Sequence, residues 1–181
     1  MAVMTEEYKQ EFAKTIKVGL VSTVDDKGDP HITILSTLMA KTDKEMMFGE
    51  FVTGLSKEYI RKNNKSGFLI MSLDKNFWTG TMKWTHSLTE GQDYIMYNMQ
   101  PKYRYNTYFG IHTVHYLDLI DLSEKRALDM GGIVMNALKV MLVKGFKKSG
   151  TKDILKPWAK KLFGKLDTLK YISYIDPEGY P

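Results

Sequence analysis

The chain has 181 residues and a formal net charge of +5, with 26 basic residues, 21 acidic residues and no cysteine. This length suits one domain with a sizeable core, and a cysteine-free sequence excludes disulfides, thiolate metal sites and cysteine nucleophiles. The first residues are charged and contain no apolar run typical of a secretory signal, so we expect a cytoplasmic protein.

The first part of the chain predicts a helix and then a β-hairpin. Residues 5–14 have helical spacing of apolar side chains, with Thr5 placed to cap the helix. Residues 18–24 are rich in β-branched side chains, and a second strand-like run follows at residues 32–38. Between the two strands, Gly28 supplies the positive φ angle that a tight turn commonly needs.

The middle of the chain predicts more strands with helices between them. A short helix begins near Gly54, where Thr53 or Ser56 can cap it, and another follows at residues 92–99. The remaining apolar runs predict four strands, at residues 45–51, 68–73, 77–84 and 111–122. With the hairpin these make six strands, which indicates a mainly β fold with helices (α+β), built as a small closed antiparallel barrel.

The pattern changes to helices after residue 126. We expect three parts: the barrel at residues 1–126, a basic helical extension at residues 127–168, and a terminal strand and turn at residues 169–181. Between residues 139 and 170, ten lysines minus two aspartates give a local balance of +8, which we interpret as a solvated helix face. Polar residues interrupt the apolar runs here too often for a membrane span.

The last residues repeat the start of the hairpin. The sequence LKYISYIDPEGYP matches VGLVSTVDDKGDP at a constant offset of 151 positions. Ile175, Asp176, Gly179 and Pro181 fall at the positions of Val24, Asp25, Gly28 and Pro30. The repeat indicates either the first hairpin of a second, related barrel or an arm that adds a strand to the existing one. A strand followed by a common turn explains it equally well.

Three motifs in this order give the chain a family resemblance. They are the hairpin turn Asp-Asp-Lys-Gly-Asp-Pro-His, the strand EMMFGEF leading into Thr53, Ser56, Lys57 and Asn64, and Trp78-Thr79-Gly80 on a later strand. Over roughly residues 7–122 the chain resembles the pyridoxamine 5′-phosphate oxidase-related family of flavin-binding split barrels. The resemblance implies a six-stranded antiparallel split β-barrel that forms a homodimer with flavin mononucleotide (FMN) at the subunit interface.

The resemblance also implies a set of cofactor-binding residues. Along the flavin it places two strand segments: Thr33, Ile34, Leu35, Ser36, Gly49 and Glu50. Near the phosphate it places Thr53, Ser56 and Lys57, with Arg61 as a weaker second cation. From the partner subunit it places Asn76 and Trp78. The phosphate group makes physical sense, because hydroxyls, an ammonium and free amides at a helix start suit a dianion.

Simpler interpretations stand beside these. Without the flanking strands, Ser56 and Lys57 are more typical of a helix cap and a solvated lysine. His112 and His115 are three residues apart on a predicted strand and so should lie on opposite faces, which makes a poor metal pair, and we expect no metal site. No general acid or nucleophile stands out, so catalytic residues are unassigned.

The expected function is that of an FMN-dependent oxidoreductase transferring hydride or electrons to a small molecule whose identity the sequence does not reveal. The family also includes members that use a deazaflavin or degrade haem, and these alternatives stay open. The arginine-rich, tryptophan-containing ending of pyridoxamine phosphate oxidases is absent from this sequence. A rival interpretation is a non-catalytic flavin carrier or binding module whose basic tail contacts nucleic acid or an anionic membrane, although neither partner is clearly indicated.

Overall fold

An antiparallel β-sheet forms the centre of the computed structural model, which describes residues 2–106, 110–144, 155–165 and 169–181. The strands are β1 (Val18–Val24), β2 (Pro30–Ile34), β3 (Met39–Ala40), β4 (Glu45–Glu50), β5 (Lys65–Met71), β6 (Asn76–Leu88), β7 (Thr113–Leu122) and β8 (Arg126–Ala127). The helices are α1 (Glu6–Ala13), α2 (Leu55–Lys62), α3 (Gln92–Met99), α4 (Pro101–Asn106), α5 (Met130–Lys144) and α6 (Pro157–Phe163).

The sheet has the order β2-β1-β5-β6-β7-β4-β3, and β8 pairs with β6. This arrangement confirms the predicted α+β fold, and each of the six predicted strands has a counterpart. It differs in two respects, because the described residues form eight strands rather than six and the sheet is open rather than closed. The two additional strands, β3 and β8, are two residues long each, too short to show a period of two in the sequence.

The core lies on both faces of strand β4. Met46 and Phe48 belong to the larger cluster inside the barrel, together with Phe12 of α1 and Trp78 of β6. Met47 belongs to a second cluster on the other face, built with residues of α3 and α4. Because side chains alternate along a strand, Gly49 lies on the face of Met47, whereas the Glu50 side chain points to the barrel side.

The helices of the barrel begin much as the sequence indicates. The side chain of Thr5 accepts a hydrogen bond from the Tyr8 amide at 3.2 Å, which confirms it as the cap of α1. Helix α2 starts after Gly54 and has no side-chain cap, so the prediction that Thr53 or Ser56 caps it is wrong. The cap position is occupied by Gly54, which has no side chain to accept a hydrogen bond from the first amides of the helix.

The chain divides into two compact units, one made of Met1–Ala127 with Ser173–Pro181 and the other of Leu128–Ile172. The second unit contains α5 and α6, and Pro157 occupies the start of α6, where its missing amide hydrogen costs no helical bond. Residues 169–181 form a turn but no helix or strand. No helix in the described parts of the chain is long and apolar enough to cross a membrane.

Candidate functional site

A fully buried carboxylate, that of Glu50 at the end of β4, is the centre of the candidate site. Its Oε2 lies 2.6 Å from Nε2 of the buried His115 on β7 and 3.2 Å from Nη2 of Arg61 on α2. Its Oε1 lies 4.0 Å from Nε2 of His112, just before β7. The antiparallel pairing of β4 with β7 and the Arg61 side chain from α2 therefore bring four charged or titratable side chains together.

The tautomer of His115 follows from its second nitrogen. The indole N–H of Trp84 points to Nδ1 of His115 at 3.2 Å, and because an indole nitrogen only donates, Nδ1 must accept. The hydrogen of the neutral ring is then on Nε2, which donates to Glu50. Burial lowers the pKa of His115 more than its bond to Glu50 raises it, which keeps the ring neutral.

Glu50 itself is held ionised. Burial raises the pKa of a carboxyl group, but His115, the nearby Thr53 side chain and the charge of Arg61 outweigh burial, and the pKa of Glu50 lies below its usual value. Oε1 of Glu50 has no hydrogen-bond partner within the described ranges. A buried acceptor of this kind costs free energy, so an available lone pair on Oε1 suits a donor from a ligand.

Lys57 stands next to this carboxylate. Burial lowers the pKa of Lys57, and the charge of Glu50 offsets part of that effect. Ser56, its neighbour in the first turn of α2, is buried, whereas Thr53 is exposed. The structure therefore brings together four residues that the resemblance assigned to the cofactor: Glu50, Thr53, Ser56 and Lys57.

A cavity of about 450 Å³ lies beside the network. It is lined by Arg61, Lys62, Asn63, Asn64, Trp84 and Thr85. Arg61 also contacts Glu50, and Trp84 also contacts His115. These two side chains therefore form part of the cavity wall and part of the buried network. The lining is polar and basic, which suits an anionic or hydrogen-bonding ligand.

The predicted flavin strand lies close to Gly49. Leu35 is buried and its amide donates to the Gly19 carbonyl at 2.8 Å, which extends the pairing of β2 with β1. The hydroxyl of Thr37 donates to the Gly49 carbonyl at 2.7 Å, which joins this segment to β4. Ile34 is 72% exposed, Thr33 is half-buried, and the Ser36 carbonyl accepts a hydrogen bond from Tyr103 at 3.1 Å.

The two residues predicted to act across the subunit interface lie elsewhere in this protomer. Trp78 is buried in the core with Tyr8 and Phe12 against its ring, so its side chain packs within its own subunit. Asn76 pairs with Ala127 of β8 at the start of the same strand. Trp78 also precedes Trp84 by six positions along β6, which separates their Cα atoms by about 20 Å.

Sequence reasoning missed His115, Trp84 and His112. The prediction that His112 and His115 lie on opposite faces is wrong, because His112 precedes β7 and both rings approach Glu50. What joins these residues is the register of β4 with β7, which pairs Phe48 with His115. No sequence pattern near either residue predicts the register of β4 with β7. In the described residues no group of three or more histidine, cysteine or acidic side chains is placed to hold a metal ion.

The barrel is a split β-barrel of the pyridoxamine 5′-phosphate oxidase-like type. The chain is similar to an FMN-binding protein from Syntrophomonas wolfei subsp. wolfei, with 14% identity over 68% of this chain and 86% of that one, at a TM-score of 0.55. It is also similar to a putative pyridoxamine 5′-phosphate oxidase from Lactobacillus delbrueckii, with 15% identity over 67% of this chain and 94% of that one, at a TM-score of 0.53.

A third solved structure, an F420 reductase, has 13% identity over 66% of this chain and 98% of that one, at a TM-score of 0.52. No protein-family model matches the sequence. No curated protein matches it either. At these identities the likeness to the solved structures defines the fold of the chain.

Proposed function

We propose that this protein binds FMN and transfers hydride or electrons between the flavin and a small molecule. The observation that carries the proposal is the meeting of the Thr53–Lys57 turn with the Glu50 network in a split barrel. Proteins of this fold include an FMN-binding protein and an F420 reductase, which supports a flavin-type cofactor. When bound, the flavin supplies the redox chemistry, and the residues of the chain bind it, orient it and hold a proton beside it.

The first turn of α2 fits a phosphate. Gly54 precedes the helix with no side-chain cap, so the first amides of α2 are available to an anion. The Thr53 hydroxyl and the Lys57 ammonium flank the same turn, and Arg61 lies one turn further on. The contact with Arg61 offsets part of the negative charge of Glu50, which leaves Lys57 able to attract a dianion.

The strand segment 33–36 fits the ring of a flavin. The hydrogen bond from Thr37 to Gly49 holds this segment next to β4, where backbone groups and the exposed Ile34 offer polar and apolar contacts in alternation. Oε1 of Glu50 is a further acceptor for a ligand N–H or O–H. In this proposal Glu50 and His115 hold one proton between them, on Nε2 of the imidazole.

We further propose a homodimer in which a second copy covers the surface near the start of α2. Three apolar side chains stand exposed there and on β2: Ile34 at 72%, Val52 at 64% and Leu55 at 53%. Apolar side chains this exposed at a ligand site favour contact with a partner. The cysteine-free sequence fits a cytoplasmic location, which remains our expectation.

The test is an absorbance spectrum from about 300 to 600 nm, a range set by flavin absorption, before and after addition of FMN and desalting. We expect retained flavin bands. Lys57→Ala should weaken FMN binding about tenfold, because one charge-assisted contact to the phosphate is lost. Lys9→Ala is the matched control, because Lys9 is a half-buried lysine paired with Glu6 on α1, and this variant should bind like the parent. No retention by the parent, or equal affinity of both variants, would contradict the proposal.

A second candidate function is attachment to an anionic membrane through the second unit. On α6, Trp158 is 68% and Phe163 is 54% exposed, while Lys160 and Lys161 lie on the opposite side of the helix. On α5, exposed apolar side chains occur on most sides: Val134, Met135, Leu138, Val140, Met141, Leu142 and Val143. An apolar face with lysines opposite it is typical of helices that lie in a membrane interface.

Vesicle sedimentation tests this candidate. The protein should pellet with phosphatidylglycerol vesicles and not with phosphatidylcholine vesicles, and Trp158→Ala should reduce the bound fraction more than Lys9→Ala does. Binding to a single-stranded oligonucleotide with no binding to either vesicle would instead assign the basic segment to nucleic acid. The exposed aliphatic side chains on α5 favour a membrane over nucleic acid, because they can be buried among lipid chains but gain nothing from the phosphate backbone of an oligonucleotide.

A further inference from the structure

The turn near the end of the chain has the same geometry as the turn of the first hairpin. In the hairpin, the Asp25 amide donates to the Asp29 carbonyl at 2.9 Å and the Gly28 amide to the Asp25 carbonyl at 3.1 Å. The corresponding bonds at an offset of 151 positions run from Asp176 to Tyr180 at 2.8 Å and from Gly179 to Asp176 at 3.0 Å.

Two more features of the turns agree. Oδ1 of Asp25 accepts from the Asp29 amide at 2.9 Å, and Oδ1 of Asp176 accepts from the Tyr180 amide at 2.8 Å. The φ angles of the two turn glycines are 86° and 83°. The sequence repeat is therefore a structural repeat over the turn, in which residues 176–180 reproduce residues 25–29.

The second segment lies against the first at equivalent residues. The hydroxyls of Ser22 and Ser173 are 2.5 Å apart, and these two serines are themselves related by the offset of 151 positions. Ser22 pairs with Gly67 across β1 and β5. The carbonyl of Pro181 lies so close to Gly67 that a Cβ atom there would clash with it. Segment 173–181 thus occupies the outer face of these two strands.

A contact between a residue and its own equivalent is the signature of a two-fold axis. In a symmetric dimer the same patch meets itself, so a residue near the axis touches its own copy. Here the Ser22–Ser173 contact has that property within one chain. We propose that segment 173–181 takes the place of residues 22–30 of a second copy, and that the β1–β5 face around Ser22 and Gly67 is a self-recognition surface filled in cis.

The residues of the β1–β5 face suit both segment 173–181 and residues 22–30 of a second copy. Lys65 donates to the carbonyl of Glu178 and places its ammonium 5.1 Å from the ring centre of Tyr180. In a second copy the position equivalent to Tyr180 is Asp29, a carboxylate that would pair with Lys65 directly. Gly67 would receive the carbonyl of Pro30 as it receives that of Pro181, since both are prolines with the same offset.

The absence of cysteine from the sequence allows a clean crosslinking test. In S22C/S173C, oxidation should form a disulfide within one chain, seen as faster migration on a non-reducing gel without a dimer band. In S22C alone, segment 173–181 covers the new thiol and crosslinked dimer should be scarce. In S22C combined with S173R, D176A and G179V, which remove three features holding the segment, the dimer yield should rise about tenfold or more.

Gly67→Val provides the matched control. Added to the variant with the released segment, it blocks the face for any occupant and should return the dimer yield to that of S22C alone. An S22C dimer yield that stays unchanged on release, or that is indifferent to G67V, would overturn the proposal. A disulfide of S22C/S173C that forms only between chains would also overturn it. None of these measurements depends on flavin, so the proposed function stands or falls separately.

Discussion

Replacement of His115 by phenylalanine tests how much the buried hydrogen bond to the Glu50 carboxylate stabilises the protein. His115→Phe keeps a ring stacked on Phe48, where the centroids are now 4.6 Å apart, but removes the hydrogen bond to Glu50. Glu50 then remains a buried carboxylate with Arg61 as its hydrogen-bonded cation. A hydrogen bond to a buried charged group contributes about 1.5–3 kcal/mol, so we expect the free energy of unfolding to fall by about that amount.

The double variant Glu50→Leu/His115→Phe should be much less destabilised than the single one. Replacement of both partners by apolar groups removes the buried carboxylate that has lost its donor, and such paired replacements can be nearly neutral. We therefore expect a coupling free energy of about 2 kcal/mol or more between the two positions. Urea unfolding at pH 7.5 with circular dichroism, with equal m-values required of all variants, measures it. Equal destabilisation of the single and double variants would refute a stabilising hydrogen bond between Glu50 and His115.

The pH dependence gives an independent check on the same variant. In the parent, the pKa of His115 is lowered on folding, so its contribution is complete above the unfolded pKa near 6.5 and is lost as the pH falls below it. In His115→Phe, burial raises the pKa of Glu50, and protonation at lower pH relieves the buried charge. Both effects should narrow the stability difference between parent and variant from pH 7.5 to pH 5.

Three further predictions concern the barrel. Gly49→Ala should cost about 1–3 kcal/mol in urea unfolding, since its Cβ would overlap the Ile111 side chain. Thr5→Ala should cost about 1 kcal/mol through loss of the α1 cap, and Thr5→Ser should restore most of it. Burial lowers the pKa of Lys17 to about 8, so stability should rise with pH from 8 towards 10.5. Lys17→Met should accordingly stabilise the protein by about 3 kcal/mol at pH 7 and by much less at pH 10, measured as the urea midpoint; no gain at pH 7 would contradict this.

Local sequence signals were sufficient where one short segment determines its own structure. The turn of the first hairpin depends on Gly28, whose φ angle of 86° is readily adopted by glycine. Helix α3 has the predicted bounds, residues 92–99, because Gly91 and Pro101 limit it on both sides. The residues 53–57 that lead into α2 could be placed for the same reason, since the strand before them and the helix after them are both regular.

The interior of the candidate site could not be predicted because it depends on distant strands. Glu50 and His115 are 65 residues apart, and only the register of β4 with β7 brings them together. Trp84 is 31 residues from His115, and its role depends on the pairing of β6 with β7. Trp78 shows the converse, because its sequence context resembles a cofactor motif while its side chain packs in the core.

The two free edges of the sheet differ in how they can receive another strand. Strand β2 is five residues long, and within the described part of the chain only β1 pairs with it. Strand β3, at the opposite edge, is two residues long. Strand addition needs a row of unpaired backbone groups, and Pro30 removes one donor at the start of β2. A peptide or a neighbouring molecule can therefore extend this sheet at the β2 edge, beyond Pro30, whereas the two-residue strand β3 offers too few backbone groups at the other edge.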